Sequence, residues 1–293
     1  MLPAISLPTN ITVKTNITAT STPRTTNTHN LKTTPFNSTL KSLCKWGNLD
    51  EALRLIESSK PTPIEEEEEE SISLFLHACI SRRSLEHGRK LHLHLLRSQK
   101  RVLENPTLKT KLITLYSVCG RVNEARGVFQ IGDEKPPEET VWVAMAIGYS
   151  RNGFSHEALL LYRDMLSRCV KPGNFAFSMA LKACSDLGNA LVGRAIHAQI
   201  VKHDVGEADQ VVNNALLGLY VAIGCFDEVL KVFEAMPQRN VVSWNTLITG
   251  FAGQGRAFET LAAFRVMQRE GMGFSWITLT TVLPVCAQVT ALH

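Results

Sequence analysis

The chain has 293 residues, 44% hydrophobic and 20% charged, with seven cysteines and a formal net charge of +4. That length supports either a large core or a stacked array of small units. No run of eighteen apolar residues is free of polar interruption, which argues against a membrane span. An odd cysteine count with no Cys-x-x-Cys pair argues against a disulfide framework or a cysteine-rich zinc module, and +4 alone does not diagnose nucleic-acid binding.

Residues 1–32 are rich in Thr, Asn, Ser and Pro and lack an apolar signal-peptide core. The first 49 residues hold Lys14, Arg24, Lys32, Lys41 and Lys45 and no acid. Hydroxyl-rich, acid-free and mildly basic describes an organelle transit segment, and the scarcity of arginine favours chloroplast over mitochondrion. The plainer alternative is an ordinary disordered tail. Sequons begin at Asn10, Asn16 and Asn37, which composition explains without a secretory route. The run Glu65–Glu70 repels itself and is expected to be a linker or a solvated acidic edge.

Beyond that point the chain repeats itself. Cys79, Gly88 and His92 recur 105 positions later as Cys184, Gly193 and His197, and Cys184 recurs as Cys286. Tyr116, Gly120 and Phe129 recur as Tyr220, Gly224 and Phe233. Trp142, Gly153 and Met165 recur as Trp244, Gly255 and Met267. Each long period divides into three units of about 31–37 residues. In the unit starting at Val241, Trp244, Leu247, Ile248 and Phe251 make one helical stripe. Gly253 and Gly255 interrupt it, and a second helix carries Leu261, Phe264 and Met267. In the unit starting at Gln210, Gly224 separates a stripe of Leu216, Leu217 and Tyr220 from one of Phe226, Val229, Leu230 and Phe233.

Each unit therefore reads as a helical hairpin with glycine near its midpoint. Two helices cannot bury both apolar faces alone, whereas stacked neighbours can. The expected fold is all-α, an α-solenoid of about seven helix-turn-helix repeats plus a half repeat. Ile56, His92, Phe129, Tyr162, His197, Phe233 and Phe264 form one packing column, so the two histidines are expected to pack rather than to ligate a metal. Cys79, Cys184 and Cys286 are expected to be small buried residues.

The stretches Val241–Gly271 and Val211–Asn240, with the Leu-x-x-Cys, Gly193, His197 and Lys202 pattern between 181 and 203, resemble the plant pentatricopeptide repeat family in its PLS form, which alternates long and short motifs. On that resemblance the chain parses as 33–68 P, 69–105 L, 106–138 S, 139–173 P, 174–209 L, 210–240 S, 241–275 P and 276–293 a partial L. The break at His293 inside a motif suggests a chain truncated at its C-terminus. Departures include Thr260 at the position of Ala52, Ala125 and Ala158, and Cys169 at the position of Gly271.

The resemblance implies binding of single-stranded organellar RNA, one base per repeat. It places readout at the fifth and last residues of a motif, with the second residue holding the base from the side. Carried over, Asn245 and Ser275 read one base with Val242 beside it, implying cytosine. Asn214 and Asn240 with Val211 imply a pyrimidine. Ser178 with Asp209, Thr110 with Glu138, and Asn37 are further candidates, while Val143 with Gly173 offers no hydrogen-bonding side chain. The implied role is a specificity factor for RNA processing such as C-to-U editing, together with editing or processing proteins. The alternatives are a protein–protein scaffold or a non-functional fragment. No catalytic constellation, cofactor motif or metal site is evident: the zinc-deaminase signature is absent, and His156-Glu157 lacks a second histidine.

Overall fold

The computed structural model describes residues 35–58, 66–97, 105–131, 137–202 and 209–290. The segment 1–32 and the inserted residues around Lys135 lie outside the described residues. Among the described residues the structure is fifteen α-helices and no strand, an α-solenoid as the sequence predicts. The helices come in antiparallel pairs: α1 (Pro35–Trp46) with α2 (Leu49–Ser58), α3 (Glu66–Ser81) with α4 (Leu85–Arg97), and α5 (Pro106–Val118) with α6 (Val122–Phe129). Next come α7 (Glu139–Arg151) with α8 (Ser155–Ser167), α9 (Asn174–Leu187) with α10 (Ala190–Lys202), and α11 (Gln210–Ala222) with α12 (Phe226–Ala235). Last are α13 (Val241–Gly253) with α14 (Ala257–Arg269), and α15 (Trp276–Thr290).

Local chemistry sets these limits. Asn105 caps α5 by accepting from the Thr107 and Leu108 N–H groups, and Pro106 opens that helix where its missing donor costs nothing. Asp227 and Glu228 occupy the first turn of α12, favoured by the helix dipole. Of the two readings of the glutamate run, a linker or an acidic edge, Glu66–Glu70 depart from the first: they form the start of α3. The helix thereby spans the 68/69 boundary read from the sequence.

One turn joins every pair. Asn48, Ser84, Arg121, Phe154, Asn189, Cys225 and Arg256 each donate their N–H to a carbonyl five residues back, on Leu43, Cys79, Tyr116, Tyr149, Cys184, Tyr220 and Phe251. The residue before each donor is left-handed, which six of the seven turns supply with glycine. The exception is Arg83, with φ 52°. Gly253 stays helical, so the break in that unit falls at Gly255 alone. Cys169 is also left-handed, at φ 57°, where the later motif has Gly271 at 71°.

Successive first helices (α1, α3, α5, α7, α9, α11, α13, α15) pack on one another. Among second helices only α2 and α4 make an extensive direct contact; the rest pack mainly on first helices. First helices are thus the closer-spaced row and line the inner wall of the curve. Buried apolar side chains from both rows form the core.

The packing column forms the seams between units. His92 Nδ1 meets the Tyr116 hydroxyl at 2.8 Å, and His197 Nδ1 meets Tyr220 at 2.7 Å. Phe129 and Phe233 set their rings edge-on to Trp142 and Trp244. Burial holds the His92 and His197 pKa values below the usual histidine range. Thr260 is buried, and its hydroxyl is satisfied by donating to the Arg256 carbonyl at 2.8 Å, so the site accommodates it in place of alanine. Cys79 and Cys184 are fully buried, but Cys286 is exposed. It lies on α15, which packs against only α13 and α14 and has no helix over its other faces among the described residues.

Candidate nucleic-acid interface

The inner wall presents one row of residues per first helix. Asn245, on α13, is 8% exposed. Its Nδ2 donates to Ser275 Oγ at 2.9 Å, and its Oδ1 accepts from the buried Thr278 hydroxyl at 2.6 Å. The fifth and last residues of that motif are therefore in direct contact. An amide keeps one further N–H and one lone pair after these two bonds. Val242 stands half-exposed one turn earlier.

The remaining candidates are arranged differently. Asn214 is partly buried on α11, and its Oδ1 has no hydrogen-bond partner. Asn240 does not join it; it caps α13, accepting from the Ser243 N–H at 2.9 Å in a reciprocal capping box. Asp209 likewise caps α11 through the Val211 and Val212 N–H groups and accepts from Asn174 Nδ2. Ser178 is buried and donates to the Asn174 carbonyl at 2.8 Å. Thr110 Oγ1 is buried without a partner. The side chain of Asn37 lies outside the described residues.

The last-position residues Asp209, Asn240 and Ser275 share one physical setting. Each immediately precedes a first helix, where orphan N–H groups compete for any short polar side chain. Asn240 and Asp209 are committed to those groups. Ser275 is shared between Asn245 and the backbone and hydroxyl of Thr278.

Two features escaped the sequence reading. Phe175, Val211, Val242 and Ile277 are each half or more exposed, and all stand second in a first helix. They form one exposed apolar row, whose signal was the shared register of Phe175 and Ile277 with the two valines. A groove between α5 and α7 is the second feature, lined by Thr110, Ser117, Val143, Gly148, Arg151 and Phe175 among others. Among the described residues no group of three His, Cys, Asp or Glu side chains is placed to hold a metal ion, and no helix is long and apolar enough to cross a membrane.

Comparison with known proteins agrees with this geometry. The family model described as "PPR repeat" matches residues 34–60, 140–170, 214–241 and 242–272. Pentatricopeptide repeat-containing protein At3g14330 of Arabidopsis thaliana is 50% identical over 251 residues, covering 85% of this chain and 35% of that protein. Pentatricopeptide repeat-containing protein CRR2, chloroplastic, from the same plant is 35% identical, covering 88% and 38%. A third, At3g53360, mitochondrial, is 33% identical, covering 81% and 30%. The chain thus spans about a third of the length of these relatives. Among solved structures, the pentatricopeptide repeat protein PPR10 in complex with an 18-nt psaJ RNA element shares the fold, with TM-score 0.65 at 16% identity over 87% of this chain and 37% of that one.

Proposed function

We propose that this chain, built of PPR repeats, binds single-stranded RNA along its inner wall and selects sequence there. The contact between Asn245 and Ser275, flanked by Val242, carries the reading. A base entering beside Val242 would present its Watson–Crick edge to an amide already held in orientation by Ser275 and Thr278. Preorganisation of this kind cuts the entropy lost on binding. Each such contact discriminates by roughly 1–3 kcal/mol, by analogy with base-edge contacts in DNA.

In the register 33–68, 69–105, 106–138, 139–173, 174–209, 210–240, 241–275 and 276–293, the pair Asn245 and Ser275 selects cytosine. Asn214, whose buried side-chain carbonyl has no partner, selects the neighbouring pyrimidine with Val211 and with the Nδ2 group of Asn240, which the α13 cap does not use. The chain then serves as a specificity factor for RNA processing such as C-to-U editing, bringing editing or processing proteins to a site. Composition of residues 1–32 supports the chloroplast, with the mitochondrion as the alternative; relatives carry both designations.

The test is selection from a random single-stranded RNA pool at stated near-physiological salt, since phosphate contacts make affinity salt-dependent. Enrichment of a short motif with a pyrimidine beside C is expected. Salt-sensitive binding with no motif would reject sequence selection. No binding by folded monomer would reject the reading and favour a protein scaffold.

A further inference from the structure

The long period brings three equivalent junctions together: α1 on α3, α7 on α9, and α13 on α15. Aligned on the turn glycines Gly47, Gly153 and Gly255, one position of the first partner reads Leu40, Ala146 and Ile248. Aligned on Cys79, Cys184 and Cys286, one position of the second partner reads Phe75, Ala180 and Val282. The outer two junctions thus place large side chains at both positions, and all four are buried. The middle junction has alanine at both.

An apolar cavity of about 20 Å³ lies at that middle junction, lined by Trp142, Ala146, Ala158, Met165, Ala176 and Ala180 among others. Atoms lining a void have no partners on that side and lose those dispersion contacts. Here they are contacts that would lock α7 and α8 onto α9. The core divides at the same place. One contiguous group of buried apolar side chains runs from Leu40 to Met165 and ends on Ala176 and Ala183 of α9. The other begins with Tyr162 and Phe177 and runs to Val282. Polar ties also cross the junction. The Tyr162 hydroxyl donates to Gln199 Oε1 at 2.9 Å, and Ser155 Oγ donates to Asp186 Oδ2 at 3.1 Å. Bonds between rotatable side chains tether two bodies without fixing the angle between them.

We propose that the junction of α7 and α8 with α9 is an articulation in the array. Helices α1–α8 and α9–α15 move as two bodies, rocking where Ala146 and Ala180 line the cavity. In a solenoid each unit touches only its neighbours, so packing missing at one interface is not made good elsewhere. Rocking there changes the curvature of the inner wall and leaves the first-helix spacing inside each body as it is. The inference involves no RNA and stands apart from the reading above.

The test measures distance distributions in the full chain without RNA, by pulsed electron-spin resonance. Spin labels on non-canonical side chains leave the native cysteines untouched. Three label pairs each span two motifs at exposed positions of second helices: Glu57 with Arg126, Arg126 with Ala198, and Ala198 with Arg265. The middle pair should give the widest distribution. Ala146→Ile with Ala180→Val, which copies Ile248 and Val282, should narrow it to the width of the other two. The same variant should raise the thermal midpoint by a few degrees. If the double variant does not fold, Ala180→Val alone carries the same expectation, and the three widths in the parent decide without either. Equal widths in the parent overturn the proposal. So does a wide middle distribution that a folded, cavity-filled variant leaves unchanged, because the motion would then lie elsewhere.

Discussion

The amide of Asn245 donates to the hydroxyl of Ser275 at 2.9 Å, across thirty residues of chain. Two positions that would meet the same base are thus fixed against each other before any ligand arrives. The Thr278 hydroxyl completes the arrangement from the following helix.

Asn245→Thr shortens the side chain and breaks that arrangement. The buried Thr278 hydroxyl loses its acceptor, and the loss of stability is about 1 kcal/mol. Base preference should change at one position of the selected motif and nowhere else. Chemical denaturation and a repeated selection check the two halves separately.

Installing the same pair in the empty motif should add a selected position. Val143→Asn with Gly173→Ser copies Asn245 and Ser275. Gly173 has φ −94° and ψ −176°, extended backbone that serine adopts freely. A Cβ there would lie 2.2 Å from the Glu139 carboxylate, the far end of a flexible side chain that can swing away. The selected motif should lengthen by one informative base; an unchanged motif would contradict the register.

Arg83 and Cys169 occupy left-handed backbone that sibling motifs give to glycine. That conformation costs a non-glycine residue roughly 1–2 kcal/mol, and glycine returns part of the gain through unfolded-chain entropy. Arg83→Gly and Cys169→Gly should each stabilise by about 0.5–1 kcal/mol, seen as a rise of a few degrees at most in the thermal midpoint.

The His92–Tyr116 and His197–Tyr220 bonds make stability fall with acid. Burial holds both histidine pKa values below the usual value near 6.5. The unfolded chain therefore takes up protons first, and this stability, full above about 6.5, is lost as pH drops below it. Tyr116 runs the other way: burial pushes its pKa up to about 12, so its contribution is full below 10 and is lost as pH rises through 12. His92→Phe alone strands the Tyr116 hydroxyl and should cost about 1–3 kcal/mol. Adding Tyr116→Phe should recover most of that loss, while the acid limb of a thermal midpoint versus pH profile should already be flatter with His92→Phe alone.

The helical hairpins were legible in the sequence because burial enforces a strict register. Trp142 with Trp244 and Tyr116 with Tyr220 announce the repeat, and Gly224 and Gly255 announce its turns. The site was less legible because a first-helix N-terminus uses the same residue types for a different purpose. Asn240 and Asp209 have the composition of base readers and are bound to backbone N–H groups. No periodicity distinguishes those fates; only the direction of the side chain does. Cys286 shows the complementary failure. A column predicts burial only where a neighbour supplies the cover, and α15 lacks that neighbour among the described residues.

The seams between motifs are of more than one kind. Histidine–tyrosine bonds close the junctions at 92/116 and 197/220, while phenylalanine–tryptophan edges close those at 129/142 and 233/244. A single motif cut from one place and grafted into another would bring mismatched ends to both of its new neighbours. A block of three motifs carries matching ends. The smallest cassette that can be duplicated, deleted or transplanted with its seams intact is therefore the triplet, and a library built by shuffling this array should be cut at that interval.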